Sequence, residues 1–256
     1  MSGRLFAGTS GFSYPAWAPA FYPAGTRDDG FLRHYGTRLA TCELSSTCRQ
    51  LPDSALLARW RGLVPPGFRF ALKLHAATSL RAYATDPAGA LERLLEPLPA
   101  LGSSLGTTLF RVPAGQARDD ARLDRLLSAW PPTIPVALEL QDPSWADDAV
   151  HARLHAAGAV LVATETDDAP DPPLLLTGPF LYVRLRRTAY DDRTLDAWAA
   201  RLEPFLAASR DAYAIFRHDE HGAAPGWALA LADRLAAFAA RPGRAPVDAR
   251  HSRRSR

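Results

Sequence analysis

Apolar positions along the 256-residue chain follow two periods in turn. Short runs rich in branched and aromatic residues, read as strands, recur about every 30 residues and separate stretches with apolar residues at three- and four-residue spacing, read as helices. Strands are predicted at 5–9, 39–45, 68–75, 107–112, 135–140, 159–165, 180–186 and 212–216. Helix punctuation follows most of them. Asp53 caps a helix over 54–63, and Asp86 with Pro87 opens one over 88–95. Asp119 and Asp120 open 121–130, and Pro143 and Ser144 lead into 147–157, which Gly158 ends. Thr194 opens 195–208, and Pro225 leads into 227–240. The proline-rich segment 167–178 has no helical period and predicts a loop where the sixth helix would stand.

Strands alternating with helices imply a parallel sheet, either a closed barrel or an open doubly wound sheet. Eight strand signals match the barrel. No GxGxxG or GxxxxGK[ST] follows the first strand, as a nucleotide-binding open sheet often shows. Glu43, Lys73, Glu139 and Arg184 interrupt otherwise apolar strands. Such charges are costly under helices on both faces of an open sheet but can meet and pair on a barrel axis. The expected fold is therefore α/β: a single (β/α)8 TIM-type barrel over 1–240 with its sixth helix short or missing. A basic tail, 241–256, follows and is expected to be disordered.

Strand alternation then sorts the side chains. Phe68, Phe70, Leu72 and Leu74 share the face toward the helices, so Lys73 and His75 point inward. The same parity sends Glu43, Ser45, Glu139, Gln141, Tyr182, Arg184 and Arg186 inward. Glu165 ends the sixth strand and Arg111 the fourth, the latter without a clear facing. The eighth strand is apolar on both parities and stays unoriented. Most of these groups lie near the C-terminal ends of their strands, where barrels build active sites. The pattern marks Glu43, Lys73, Glu139 and Glu165 as candidate catalytic residues for acid–base or paired-carboxylate chemistry. Ser10, Tyr14, Trp17, Ser45, Arg111, Trp145, Arg184, Arg186 and Asp219 are candidate ligand-binding residues. Lys73 and Glu43 are expected at one depth and in an ion pair. The same ring is also readable as structural ion pairing, with three acids set against two bases, and the loop aromatics as packing over the rim.

Composition changes this picture in three places. Of 30 basic residues only Lys73 is lysine, which singles out a position where a point charge serves and a guanidinium fork does not. The formal charge of +3 becomes −1 once the four arginines within 250–256 are set aside, so the basic character is local to the tail, a feature able to add affinity for phosphate backbones. Cys42 and Cys48 match no zinc or redox spacing, and no run of residues has signal-peptide or membrane-span character. A cytoplasmic protein is expected, with no membrane partner, no metal site, and no cofactor that the sequence names.

Several blocks carry a resemblance. Gly8-Thr9-Ser10-Gly11-Phe12-Ser13-Tyr14 with Trp17 and Phe21-Tyr22-Pro23 is the first. Glu43-Leu44-Ser45-Ser46-Thr47 and Pro65-Pro66-Gly67-Phe68-Arg69-Phe70 leading to Lys73 follow. Pro143-Ser144-Trp145, Tyr182-Val183-Arg184-Leu185, and Asp219 with Gly222 complete the set. In this order, over about 4–235, the chain resembles the YecE-like family, domain of unknown function 72. The resemblance implies a barrel fold and carries no established activity. Glu43, Lys73, Glu139, Arg184 and Asp219 match the family pattern. The chain departs from it at Ser45, at Cys48-Arg49-Gln50, at Gln141-Asp142, at Arg186-Arg187 and at Arg217-His218.

Three functions fit these residues, and whether the chain is an enzyme stays open at this point. The first is a hydrolase or lyase acting on a polar, anionic or sugar-like small molecule at the C-terminal mouth. The second is a noncatalytic binding scaffold. The third is a nucleic-acid-associated protein using Arg186, Arg187, Arg217 and the tail.

Overall fold

The eight runs of branched and aromatic residues form parallel strands that close on themselves. The computed structural model describes residues 2–44, 52–84 and 87–239. Its strands are β1 (Leu5–Ser10), β2 (Thr41–Leu44), β3 (Arg69–Lys73), β4 (Leu105–Val112), β5 (Val136–Leu140), β6 (Val160–Glu165), β7 (Phe180–Leu185) and β8 (Asp211–Phe216). Each strand pairs with its sequence neighbours, and β8 returns to β1 with Leu5 opposite Ala212. The expected α/β barrel is the observed architecture. Ser45, Cys48, Arg49, the Asp86 cap and the tail 241–256 lie outside the described residues.

Around the barrel run α1 (Asp29–Arg38), α2 (Ser54–Leu63), α3 (Ala76–Ala84), α4 (Pro87–Leu95), α5 (Asp120–Ala129), α6 (Asp148–Ala156), α7 (Asp192–Ala207) and α8 (Ala223–Ala239). No helix joins β6 to β7; 167–178 crosses as turn and irregular backbone, as its prolines predict. Asp53 and Asp119 cap their helices as the sequence implies, whereas α6 is capped by Asp147 and α7 by Asp191 in place of the expected Thr194. Asp53 accepts from the Leu56 N–H, Asp119 from Arg122, Asp147 from Ala149 and Asp191 from Thr194. Two helices lack such a signal. Asp28 precedes α1 at φ 44° and its side chain makes no cap. At the start of α3 the Thr78 N–H donates to the His75 ring at Nδ1 (3.3 Å), so this inward-parity histidine serves as a helix cap.

The side chains sort into two apolar layers. Phe6, Ala71, Leu109, Ala137, Val162, Tyr182, Tyr213 and Ile215 belong to the cluster inside the barrel. Phe6 stacks on Tyr213 at 4.7 Å, and the Arg4 guanidinium covers the Phe6 ring from below at 4.8 Å. Membership of this inner cluster orients the strand that the pattern left open: Tyr213 and Ile215 of β8 face the axis. A second, larger cluster fills the space between strands and helices, with Leu44, Phe70, Leu72, Leu138, Val183 and Phe216 on the strand side.

Gly8 shows how tightly the barrel closes. It sits opposite Thr41 on one side and Ile215 on the other. A Cβ at this position would run into the Thr41 carbonyl oxygen. Backbone cannot yield as a flexible side chain can, so Gly8→Ala is expected to cost about 3 kcal/mol or more, the upper end for overpacking. Urea denaturation of the two proteins checks this, and equal midpoints would contradict it.

Candidate functional site

Above the inner apolar layer, the barrel axis turns from hydrophobic to charged. Glu43 comes from β2, Glu139 from β5 and Arg184 from β7, each on the inward parity and each almost fully buried. Arg184 lies between the two carboxylates. Its Nη2 donates to Glu43 Oε1 at 2.8 Å and its Nε to Oε2 at 3.1 Å, a two-pronged grip. Its Nη1 donates to Glu139 Oε1 at 2.9 Å and Oε2 at 3.0 Å. The Tyr182 hydroxyl donates to Glu43 at 2.9 Å, and the Thr164 hydroxyl to Glu139 at 2.8 Å. Arg111 brings its Nε within 2.9 Å of Glu139 Oε2. That N–H is not aimed along the contact, which is therefore ionic and not directional.

The energetics follow from burial. Burial opposes the charged form of Glu139, but Arg184, Arg111 and Thr164 outweigh it and hold the carboxyl below the usual carboxylate range. Burial likewise works against the Arg184 charge, and Glu43 and Glu139 overcome it. The Tyr182 phenol is pushed well above its ordinary value by burial and then by Glu43. Around neutral pH Glu139 and Arg184 thus face each other ionised, with a neutral phenol nearby.

The register offsets two residues expected at one level. Glu43 stands opposite Ala71, and Lys73 opposite Leu109, so Lys73 lies two residues higher in β3 than the level of Glu43. The two are not at one depth. Lys73 is half-buried at the rim, and the Glu43 carboxylate is gripped by Arg184 and Tyr182.

Glu165 is the clear correction. Val160 and Val162 belong to the inner cluster, so parity aims Thr164 inward and Glu165 at the helix layer. There it accepts from the Trp198 indole at 2.8 Å and from the Tyr190 hydroxyl at 2.5 Å. Arg187 lies 2.7 Å from the same carboxylate. Glu165 anchors α7 and the β7 loop and takes no part in the ring. Among the described residues the inward set is two acids, Glu43 and Glu139, with four bases, Lys73, Arg111, Arg184 and Arg186, in place of the three acids and two bases expected.

Three candidate ligand residues are also structural. Trp17 is buried and donates its indole N–H to the Asp219 carbonyl at 2.8 Å. Trp145 is buried and donates to the Gln116 carbonyl at 2.9 Å. The Asp219 carboxylate accepts from the N–H groups of His221, Ala223 and Ala224, which caps α8. Burial opposes its ionisation, and these backbone donors prevail and lower its pKa. Glu165 and Asp219 are engaged elsewhere, so the carboxylates of Glu43, Glu139, Glu165 and Asp219 do not converge on one point. Among the described residues, no group of three His, Cys, Asp or Glu side chains is gathered to hold a metal.

What remains at the mouth are Ser10, Tyr14, Arg111 and Arg186, joined by Arg217, expected only as a nucleic-acid contact, and by His218, which was not among the candidate ligand residues. Ser10 Oγ accepts the His218 backbone N–H at 3.2 Å and sits 3.4 Å from its Nδ1. Tyr14 lies flat on the imidazole, with ring centroids 5.2 Å apart and planes 7° from parallel, and its hydroxyl donates to the Ser10 carbonyl. The Tyr14 phenol is pushed up to about 12 by burial, then by Cys42 and Glu43. The His218 pKa is lowered by burial and by Arg186 and Arg217, against Asp219 and Glu220. The missed signal was parity: Arg217 follows Tyr213 and Ile215 on one face of β8.

The model of the family described as "Protein of unknown function DUF72" matches residues 6–250. No curated protein matches the chain. The crystal structure of a DUF72 family protein from Thermotoga maritima is similar at a TM-score of 0.78 and 21% identity, covering 91% of this chain and 99% of that one. One from Enterococcus faecalis is similar at a TM-score of 0.72 and 18% identity, covering 91% and 98%. A methyltransferase from Methanosarcina mazei shares the fold at a TM-score of 0.52 and 9% identity, over 93% and 94% of the two chains. At these identities the likenesses speak to fold alone.

The bridge makes a stability prediction. Arg184→Met leaves two buried carboxylates facing each other, at an expected cost of about 3–5 kcal/mol near neutral pH. In the native protein Glu139 binds its proton less readily folded than unfolded. Its stabilisation is therefore fully present above the ordinary value of 4.5 and is lost as pH falls through the depressed one. In the variant the sign reverses, because uncompensated burial raises the carboxyl pKa and stability is lost as pH rises. The gap between the two proteins should narrow on acidification. Urea melts across a pH series test it, and a gap that stays constant would refute it.

Proposed function

The chain belongs to the DUF72 family, and on that premise we propose that it binds a polar, anionic small molecule at the C-terminal mouth of the barrel and acts on it as a hydrolase or lyase. The observation that carries this reading is the placement of Arg186. Glu43 and Glu139 are already compensated by Arg184 and Arg111. Arg186 is half-buried above them, and among the described residues no carboxylate reaches ion-pair distance of it. A partly desolvated guanidinium without a counter-charge is costly, and a bound anion supplies the missing partner. Barrel enzymes place their ligands at this face.

The roles follow from depth. Arg184 with Glu43 and Glu139 forms a rigid charged floor, which preorganises the groups above it. Lys73 and Arg186 hold the anion, the first as a point charge and the second as a fork. Glu139, held ionised, is a poor proton donor. Paired-carboxylate glycoside chemistry has no support, because both carboxylates grip one guanidinium and leave no room for a sugar between them. A nucleic-acid surface built on Arg187 is not favoured either, since that side chain is held by Glu165 and Asp171.

Thermal melts of wild type, Lys73→Arg and Lys73→Met, with and without sugar phosphates and small dicarboxylates, test the reading. A ligand at a hundredfold excess over its Kd stabilises by about 2.7 kcal/mol. That gain is expected in wild type and lost in both variants, while both still fold. Equal ligand-induced shifts in all three proteins would overturn Lys73 as a binding residue. No shift with any anion would favour a noncatalytic scaffold.

A further inference from the structure

Resting on the proposed anion-binding mouth, we propose that Arg186, Arg217 and His218 form a subsite for a doubly charged tetrahedral oxyanion, the phosphate group of a phosphate monoester ligand, at the corner between β7 and β8. The register of these strands runs Arg184 opposite Ile215 and Leu185 opposite Phe216. The Arg217 N–H then continues the ladder by donating to the Leu185 carbonyl at 2.8 Å. Arg186 and Arg217 are the next residues past these strand ends, where the backbones leave at about the 4.8 Å interstrand spacing. Like charges placed directly opposite on paired strands destabilise the pair. The two guanidinia feel each other, and Arg184 adds a third positive charge beneath. Among the described residues, neither Arg186 nor Arg217 has a carboxylate at ion-pair distance. A buried floor whose charges are paired at ion-pair distance thus carries a corner where, among the described residues, Arg186 and Arg217 are not.

The imidazole beside this pair is flanked by Ser10 and Tyr14. Ser10 Oγ accepts the His218 backbone N–H and sits 3.4 Å from Nδ1, a contact in which either atom can donate. Tyr14 of the β1 loop stacks on one face. The charged groups around it are Arg186 from the end of β7, Arg217 on its own element, and Asp219 and Glu220 in the loop before α8. Of the two acids, Asp219 is committed to the α8 cap. A cleft of about 310 Å³ opens alongside, with Arg187, Arg217, His218 and Trp227 in its lining.

The class of ligand follows from charge and shape. Two guanidinia and one imidazole offer donors from two strands and a loop, more than the two oxygens and single charge of a carboxylate can use. A phosphate monoester presents three oxygens and a charge of about −1.5 to −2 near neutral pH. Barrels often hold phosphate after strands seven and eight with helix N-terminal N–H groups. Here the Asp219 carboxylate occupies those groups, so the side chains must hold the phosphate instead. Bound dianion stabilises imidazolium, so binding draws a proton from solvent onto His218. Ser10 and Tyr14 are positioning residues in this scheme.

Titration calorimetry and thermal melts on the full chain at low salt test this, with inorganic phosphate, sulfate and malonate as probes. Phosphate and sulfate are expected to bind wild type and to weaken at least tenfold in Arg186→Gln and in Arg217→Gln. Without anion, both variants should melt no lower than wild type, because each removes a repulsive charge; a merely structural role would lower both. Sulfate stays doubly charged across the histidine range, so its affinity should rise several-fold as pH falls below about 6.5. That rise should vanish in His218→Gln. Unchanged phosphate and sulfate affinity in both arginine variants overturns the subsite, and an unchanged pH profile in His218→Gln removes the histidine from it. Malonate stabilising wild type but not Lys73→Met, with phosphate and sulfate inert, sinks this subsite and leaves the anion-binding mouth standing. Failure of all three anions sinks both.

Discussion

Arg184 is the group on which the upper barrel depends. Three charged side chains from β2, β5 and β7 meet on the axis of a structure whose lower half is closed by Phe6, Ala71, Tyr182 and Tyr213. Any one of these charges alone would be expelled from such a place or neutralised. Together they use nearly every donor and acceptor they have, and Tyr182 and Thr164 take up the remaining lone pairs. The bridge ties strands on opposite sides of the barrel into one unit. A network of this kind is no guarantee of net stability, since apolar residues of equal volume often do as well. Its consequence is geometric: the floor of the mouth is rigid, charged and already satisfied, so whatever binds above meets a fixed surface.

The strand pattern was enough to reach that floor. A charged residue in an apolar run, read at period two, assigned Glu43, Glu139, Arg184 and Lys73 to the axis, and all four have that parity in the barrel. Depth within the ring did not follow, because depth depends on register between strands. Register set Glu43 opposite Ala71 and left Lys73 at the rim. Glu165 failed for a different reason. It closes its strand, and the residues on both parities of 159–165 are apolar enough that the pattern gave no facing. Its true partners, Tyr190 and Trp198, lie in and before α7, and no local signal announces such a contact. The helix at Asp29–Arg38 escaped because Asp28 adopts an unusual backbone angle and offers no cap.

The loop aromatics show why residue type alone misleads about ligands. Trp17 and Trp145 have the flat faces suited to a sugar, yet each buries its ring and gives its N–H to a backbone carbonyl of another loop. An irregular segment crossing a barrel rim carries backbone groups that water cannot always reach, and an indole satisfies them while adding apolar area. Tyr14 belongs to the same rim but differs in what it covers. Its ring lies against His218, so it shapes a polar group at the mouth.

The departures from the family pattern acquire a physical meaning once they are placed in space. Arg186, Arg187, Arg217 and His218 all fall at one corner, after β7 and β8. One of them is absorbed by the fold, since Arg187 is held by Glu165 and Asp171. The other two guanidinia are those of half-buried Arg186 and exposed Arg217, past the ends of β7 and β8. A barrel whose mouth had become mere scaffold would gain stability by exchanging Arg186 for a neutral residue. Random drift toward arginine explains surface positions, where the charge is solvated and nearly free of cost. It explains a half-buried Arg186 poorly, because burial and two like-charged neighbours all oppose its charge. The strain is rational if the corner is occupied by an anion for much of the time, because the repulsion between the arginines then becomes shared attraction to one guest.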